Sequence, residues 1–291
     1  MKFLKKFATR AEYDAFMVAN NDNSPFVGYI ADEKKVEYVS PVNYAELPLH
    51  FIALEDMTVS FTTNPIQYSL DNETWVVLPV GESTPTIAAG DKVYFKAKGL
   101  SPTSSDGIGA FNIVGRCNVR GNAMSLLYGD DFIDAVYIKS SYSFFKLFYN
   151  QTAIIHAGNL VLPATSLASA CYSNMFNGCT SLTNAPALPA TTLASDCYKS
   201  MFNGCTSLVN APELPATTLA SSCYSYMFFY CSSLQYIKAM FTTAPSSDYM
   251  SVWVTGVKSV GTFVKNAAAT WTDSFGTSAI PTGWTVETAT E

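Results

Sequence analysis

The chain has 291 residues, 48% of them hydrophobic and 14% aromatic, which is ample apolar side chain for a packed core. Charged residues make up only 14%, against roughly a quarter in an ordinary globular protein, so Ser, Thr, Asn and Tyr must cover much of the surface. A net charge of −6 and a pI near 5.0 argue against a nucleic-acid binder, because little in the chain can displace counterions from a phosphate backbone.

At the start, Lys2, Lys5, Lys6 and Arg10 form the one basic cluster, which reads as a solvated first turn. These charges and Glu12 break up the opening segment, so no classical signal peptide is legible. No apolar run approaches the roughly 18 residues of a membrane-spanning helix. Thr9-Arg10-Ala11-Glu12 has the pattern of a capping box, in which the hydroxyl and the carboxylate satisfy the first free N–H groups of a helix. Tyr13, Phe16 and Met17 then give that helix one apolar stripe. Residues 26–30 and 36–39 flank a polar turn at 32–35 and predict a hairpin. Residues 1–45 are thus expected to form a helix-hairpin module, either docked on the next domain or attaching the protein to a larger assembly.

Residues 46–135 alternate apolar and polar side chains at 57–62, 66–70, 75–78 and 92–97, with turn signals at Asp71-Asn72, Gly81 and Gly90-Asp91. This spacing predicts a small antiparallel β-sandwich of immunoglobulin type. Pro102 to Gly107 reads as an exposed loop.

Farther along, Leu162-Pro163-Ala164-Thr165 recurs as Leu188-Pro189-Ala190-Thr191 and as Leu214-Pro215-Ala216-Thr217, at intervals of 26 residues. Each copy carries Cys-Tyr, then Met-Phe, then Cys and Leu: Cys171-Tyr172, Met175-Phe176, Cys179 and Leu182 in the first. A degenerate copy over residues 147–157 precedes them at an offset of 28, as expected of a terminal repeat. A 26-residue period lies in the window of about 20–29 residues of leucine-rich repeats. Stacking puts Leu162, Leu188 and Leu214 in one ladder and Phe176, Phe202 and Phe228 in another. A short strand is expected near Leu182–Ala185 and a helical or 3-10 turn over 173–176. The expected architecture is therefore α+β or mostly β, with a leucine-rich-repeat solenoid over 136–240 and a C-terminal cap over 241–291.

The repeat resembles the BspA-like leucine-rich repeats, whose usual core is A-F-x-x-C-x-x-L. Met175-Phe176, Met201-Phe202 and Met227-Phe228 stand where that family has Ala-Phe, and Cys171, Cys197 and Cys223 where it has Ile. The resemblance covers about residues 142–240. It implies a surface or virion protein whose role is attachment.

Six of the seven cysteines fall at two phases of the repeat (171, 197, 223 and 179, 205, 231). They read as buried thiols; their spacings of 8 and 18 do not suit a metal site, and disulfides along the ladder are the other alternative. His50 and His156 are the only histidines and fall in different expected domains, so no Ser-His-Asp or Cys-His arrangement is legible. Gly107-Ile108-Gly109 lacks the third glycine of a dinucleotide fingerprint. The acidic turns at Asp130, Asp131 and Asp134, and at Asp71 and Glu73, lack the spacing of a calcium loop. Across 162–239 the only charged residues are Asp196, Lys199, Glu213 and Lys238, too few for paired catalytic carboxylates.

What remains is surface. Tyr172, Tyr198 and Tyr224 share one phase, and Tyr226 adds density in the third unit; such rings either stack on sugars or pack between units. Thr183, Val209 and Gln235 share a phase on the strand side. These seven residues are the candidate contact set. No cofactor or metal is expected. The reading is a non-enzymatic attachment or structural protein, a phage fibre or decoration protein on the virion surface. Its partners are expected to be other virion or surface proteins through the N-terminal module, and a protein or glycan receptor; a homo-oligomer stays open. A bacterial cell-surface adhesin is the alternative, and a carbohydrate-active enzyme fits less well for want of acid–base residues.

Overall fold

The computed structural model describes residues 3–7, 26–30, 35–39, 43–62, 64–98, 110–138 and 140–290. The helix expected over the capping box at Thr9–Glu12, the loop at 102–107 and Gly107-Ile108-Gly109 lie outside the described residues. Strand β1 (Phe3–Phe7) pairs in parallel with β2 (Phe26–Ile30), which runs antiparallel to β3 (Lys35–Val39). Within the basic opening segment, residues 3–7 are therefore extended where a first helical turn was expected.

Next comes a six-stranded sheet built from β4 (Leu49–Ala53), β6 (Ile66–Ser69), β7 (Val76–Leu78), β8 (Lys92–Lys96), β10 (Cys117–Asn122) and β11 (Ile154–Val161). Its order is β11-β10-β4-β8-β6-β7. A two-stranded antiparallel sheet of β5 (Thr58–Phe61) and β9 (Phe111–Val114) completes this part. Five phenylalanine rings form its core, with Phe51, Phe61, Phe95, Phe111 and Phe148 at centroid distances of 4.8–6.1 Å. Phe148 comes from the degenerate repeat copy, so the sheet and the repeats share one apolar interior. Their strands join as well: β10 pairs with β11 in parallel, Cys117 opposite Ile154. Parallel strands need a long crossover, and residues 123–153 supply it.

The repeats depart from the expected architecture. The protein is mostly β with about 6% helix, its sheets are flat, and the repeats neither curl nor close as a leucine-rich solenoid does. In place of one helix per repeat, residues 170–178, 196–204 and 222–230 run as successive turns. Every fourth residue is left-handed: Ala170, Asn174 and Gly178 in the first run, Asp196, Ser200 and Gly204 in the second, Ser222, Tyr226 and Tyr230 in the third. A residue with positive φ cannot continue a right-handed helix, and Asn and Gly reach that region most readily.

The hydrogen bonding follows from this alternation. Within a run, Cys171, Ser173 and Met175 N–H groups bond the carbonyl three residues back. The intervening Tyr172, Asn174 and Phe176 N–H groups bond the next unit instead, at Cys197, Lys199 and Met201 carbonyls, 2.8–3.0 Å away. Half the backbone donors thus tie unit to unit, satisfying buried polar groups that a helix would have kept to itself.

The same pattern runs past residue 240. Strand β12 (Tyr236–Ala239) pairs in parallel with β13 (Thr262–Lys265), and β13 with β14 (Thr285–Thr288). Phe228 N–H bonds the Trp253 carbonyl, and the Trp253 ring lies 6.3 Å from Tyr224 and 5.9 Å from Phe228. One indole closes both aromatic ladders, with its N–H bonded to the Ala279 carbonyl at 2.7 Å. Among the described residues no helix is long and apolar enough to cross a membrane.

Candidate binding surface

The interior of the repeats takes up their reactive side chains. Tyr172, Tyr198 and Tyr224 are at most 2% exposed and stack at 5.7 and 6.0 Å with planes 7–8° apart. Burial pushes their phenols well above the ordinary tyrosine value. Three of the seven candidate contact residues are therefore packing residues, and the idea that their rings meet a ligand is corrected. Cys171-Tyr172 and Met175-Phe176 each lie between left-handed residues, and all four side chains point into the core.

The parallel phenylalanine ladder runs Phe148, Phe176, Phe202, Phe228 at 5.2–5.9 Å. All seven cysteines are free and buried. Desolvation raises the Cys171 thiol to about 12 and the Cys223 thiol to about 11. The Cys179, Cys205 and Cys231 thiols donate to the Phe148, Phe176 and Phe202 carbonyls at 3.0–3.2 Å. Each lies one unit from its acceptor, so these thiols add to the cohesion of the stack.

Other titratable groups are likewise engaged. His50 is buried in β4 between the Tyr44 and Tyr94 rings, and desolvation lowers its pKa to about 4. Its Nδ1 lies 2.9 Å from the Pro48 carbonyl. Beside it, the Arg120 guanidinium donates to the Tyr44 hydroxyl at 3.1 Å. The Asp71 carboxylate accepts from the Glu73 and Thr74 N–H groups and the Ser69 hydroxyl at 2.7–2.8 Å, which holds its pKa well below the usual range. Asp130 pairs with Lys96 at 2.6 Å. Among the described residues no three His, Cys, Asp or Glu side chains come together as a metal site.

On the strand side, Thr183 donates through Oγ1 to the Ile155 carbonyl at 2.9 Å, and His156 Nδ1 lies 2.9 Å from both Thr183 Oγ1 and Asn184 Oδ1. Val209 is exposed, and its carbonyl accepts from the Gln235 N–H at 2.9 Å. Gln235 Oε1 accepts from Lys258 at 2.7 Å. Thr183 Oγ1 and Gln235 Oε1 are thus engaged within the protein, and Val209 is the apolar member of that set. Nearby, Pro186, Leu188, Pro189, Pro212 and Pro215 line a shallow groove of about 490 Å³.

The outer face of the turn runs is different. Backbone bonds from Asn150 to Asn177, Gly178 to Asn203, Gly204 to Phe229 and Tyr230 to Thr255, all 2.7–2.8 Å, align one column across the units. This column places Tyr149, Asn177, Asn203 and Phe229 at one level. The next column places Lys146, Asn174, Ser200 and Tyr226 together through bonds of 2.8–3.1 Å, with Ser200 itself buried. Aromatic residues thus occupy the two ends and small polar residues the middle. At one end Tyr142 packs edge-on to Phe145, and Lys146 Nζ lies 5.0 and 5.2 Å from the Phe145 and Tyr149 rings. At the other, Phe229 packs against Tyr226 and Tyr230 at 5.6 and 4.3 Å. Tyr142 and Tyr230 are more than half exposed and Tyr226 is 37% exposed. Of these rings only Tyr226 belongs to the candidate set. Phe145, Tyr149 and Phe229 could have been found by aligning all units and asking where large rings replace Ser or Asn.

Compared with known proteins, the chain matches no family model, no curated protein and no solved structure.

Proposed function

We propose that this protein is a non-catalytic attachment or structural component, carried on a virion as a fibre or decoration protein, and that its repeats present a surface to a partner. The observation that carries this reading is the division of side chains in the repeats. The thiols and the Tyr172, Tyr198 and Tyr224 phenols are sealed inside, while Ser, Thr and Asn recur outside at fixed steps and exposed rings stand at the ends. A chain that stacks near-identical units builds an extended surface with regularly spaced contacts, which suits adhesion. The motif-level resemblance to BspA-like repeats, whose known roles are attachment, points the same way. The strands at 3–39 form their own three-stranded sheet, and in this reading that module joins the protein to its assembly.

The test is immunogold labelling of purified particles with antibody raised against this chain. Label at the particle exterior is expected, and it should be absent when residues 1–42 are deleted from the incorporated protein. Particles that carry no label would overturn the virion assignment.

A further inference from the structure

We propose that the outer face of the turn runs is a binding platform for an uncharged polysaccharide, with sugar rings stacked on the Tyr226–Phe229–Tyr230 cluster. The proposal rests on the attachment reading and names its ligand class. Three observations carry it. The first is the exposed aromatic surface at both ends of the face. An aromatic ring is electron-rich on its face, and the apolar face of a pyranose offers the polarised C–H groups that settle there.

The second observation is charge. Asp196 and Lys199, the only charged residues of the middle units on this face, pair with each other at 2.9 Å. Lys146 lies over two rings and has no carboxylate partner among the described residues. A partner steered by charge would find almost nothing to complement, whereas a hydroxyl-rich neutral chain meets no desolvated charge.

The third is the middle of the face. There Asn177 donates to the Asn174 side chain at 2.9 Å and Asn174 to Ser173 at 3.0 Å, while the Asn203 amide has no partner among the described residues and is free to bond a sugar hydroxyl. Amides between aromatic ends are the mixture of apolar contact and few polar groups that fixes a small ligand's orientation.

The spacing sets the ligand's length. The buried rings beneath the face step by 5.5, 5.7 and 6.0 Å from Phe144 through Tyr172 and Tyr198 to Tyr224, so the two aromatic ends lie roughly 17 Å apart. A single sugar meets one end only, and a chain of several units reaches both.

The repeat also supplies the test. At the phases of Tyr226, Phe229 and Tyr230 the first unit carries Asn174, Asn177 and Gly178, so Tyr226→Asn, Phe229→Asn and Tyr230→Gly together copy a surface the fold already accommodates. At the other end, Phe145→Ser with Tyr149→Asn does the same. The full chain is run through native gels cast with mannan, xyloglucan or dextran, and through one cast with polygalacturonate. Retardation is expected in at least one neutral gel and not in polygalacturonate. Oligosaccharide should compete and monosaccharide should not, and each multiple variant should weaken retardation at least tenfold with its melting temperature unchanged. No retardation in any neutral gel, retardation in polygalacturonate alone, or retardation that survives both variants would overturn the proposal. If one variant fails to fold, the other still decides. Particles that carry the label while every neutral gel stays negative would remove the glycan site and leave the attachment reading standing.

Discussion

Replacing Tyr198 with Ala separates an inward tyrosine ladder from an outward one. Tyr198 is 2% exposed and stacks on Tyr172 at 5.7 Å and Tyr224 at 6.0 Å. An aromatic side chain buries about 150–250 Å², worth about 4–6 kcal/mol at about 25 cal/mol per Å². The unfolded chain already hides part of that surface, about 10–40% of it, so the expected loss is about 2–5 kcal/mol, overlapping the measured losses of about 3–5 kcal/mol for large aromatic-to-Ala changes. Tyr198→Phe keeps the ring and should cost about 1 kcal/mol or less. Urea unfolding followed by far-UV circular dichroism and tryptophan fluorescence measures both. A Tyr198→Ala loss under about 0.5 kcal/mol, the range of ordinary surface substitutions, would refute the buried ladder and return these rings to the contact surface.

Three further outcomes are expected. Thiol-reactive dye at pH 8 should label none of the seven cysteines in the folded protein and all seven in denaturant, since only thiolate reacts and burial raises the repeat thiols above their ordinary range; rapid labelling of native Cys171 or Cys223 would contradict this. Folding lowers the His50 pKa from 6.5 to about 4, so the unfolded chain binds more protons and the neutral ring's stabilising contribution, fully present above pH 6.5, is lost as pH falls towards 4. Between pH 7.5 and 4.5 the wild type should lose about 2–3 kcal/mol more than His50→Gln, each pKa unit being worth about 1.4 kcal/mol; identical pH profiles would count against the buried neutral imidazole. Gly121→Ala should unfold the sheet, because at φ +79° a methyl group would press into the Pro48 carbonyl. Gly81→Ala, at φ +80° with open space around it, should cost only about 1–2 kcal/mol from left-handed strain, and equal melting temperatures for the two variants would refute the distinction.

Parts of this arrangement are legible in the chain itself. The 26-residue period carries the identity of the stacked side chains, because a repeat that recurs in register must place like residues at like levels: Phe176, Phe202 and Phe228, or the cysteines at two phases. The scarcity of charge over 162–239 is legible too, and it already turns attention from chemistry to surface. The turn runs are not legible. Cys-Tyr-Ser-Asn-Met-Phe has no proline, and its one Asn is tolerated in a helix, so local propensity alone permits the helical turn that was expected there. The half-buried rings at Tyr149 and Phe229 escape notice because each stands in an end unit where the repeat has Asn177 and Asn203, and departures from the repeat are expected at its ends.

The amino-acid sequence by itself determines the repeat, its period, the apolar and sulfur-bearing positions that must be buried together, and the near-neutral exterior of the repeats. Only the tertiary structure decides that the backbone between those positions turns left-handed every fourth residue, that the tyrosines face inward, and that β10 and β11 merge the sheet and the repeats into one core. The physical reason is that half of the N–H groups in each run are satisfied by the neighbouring unit. A hydrogen bond between residues 25 apart has no signature in any local window.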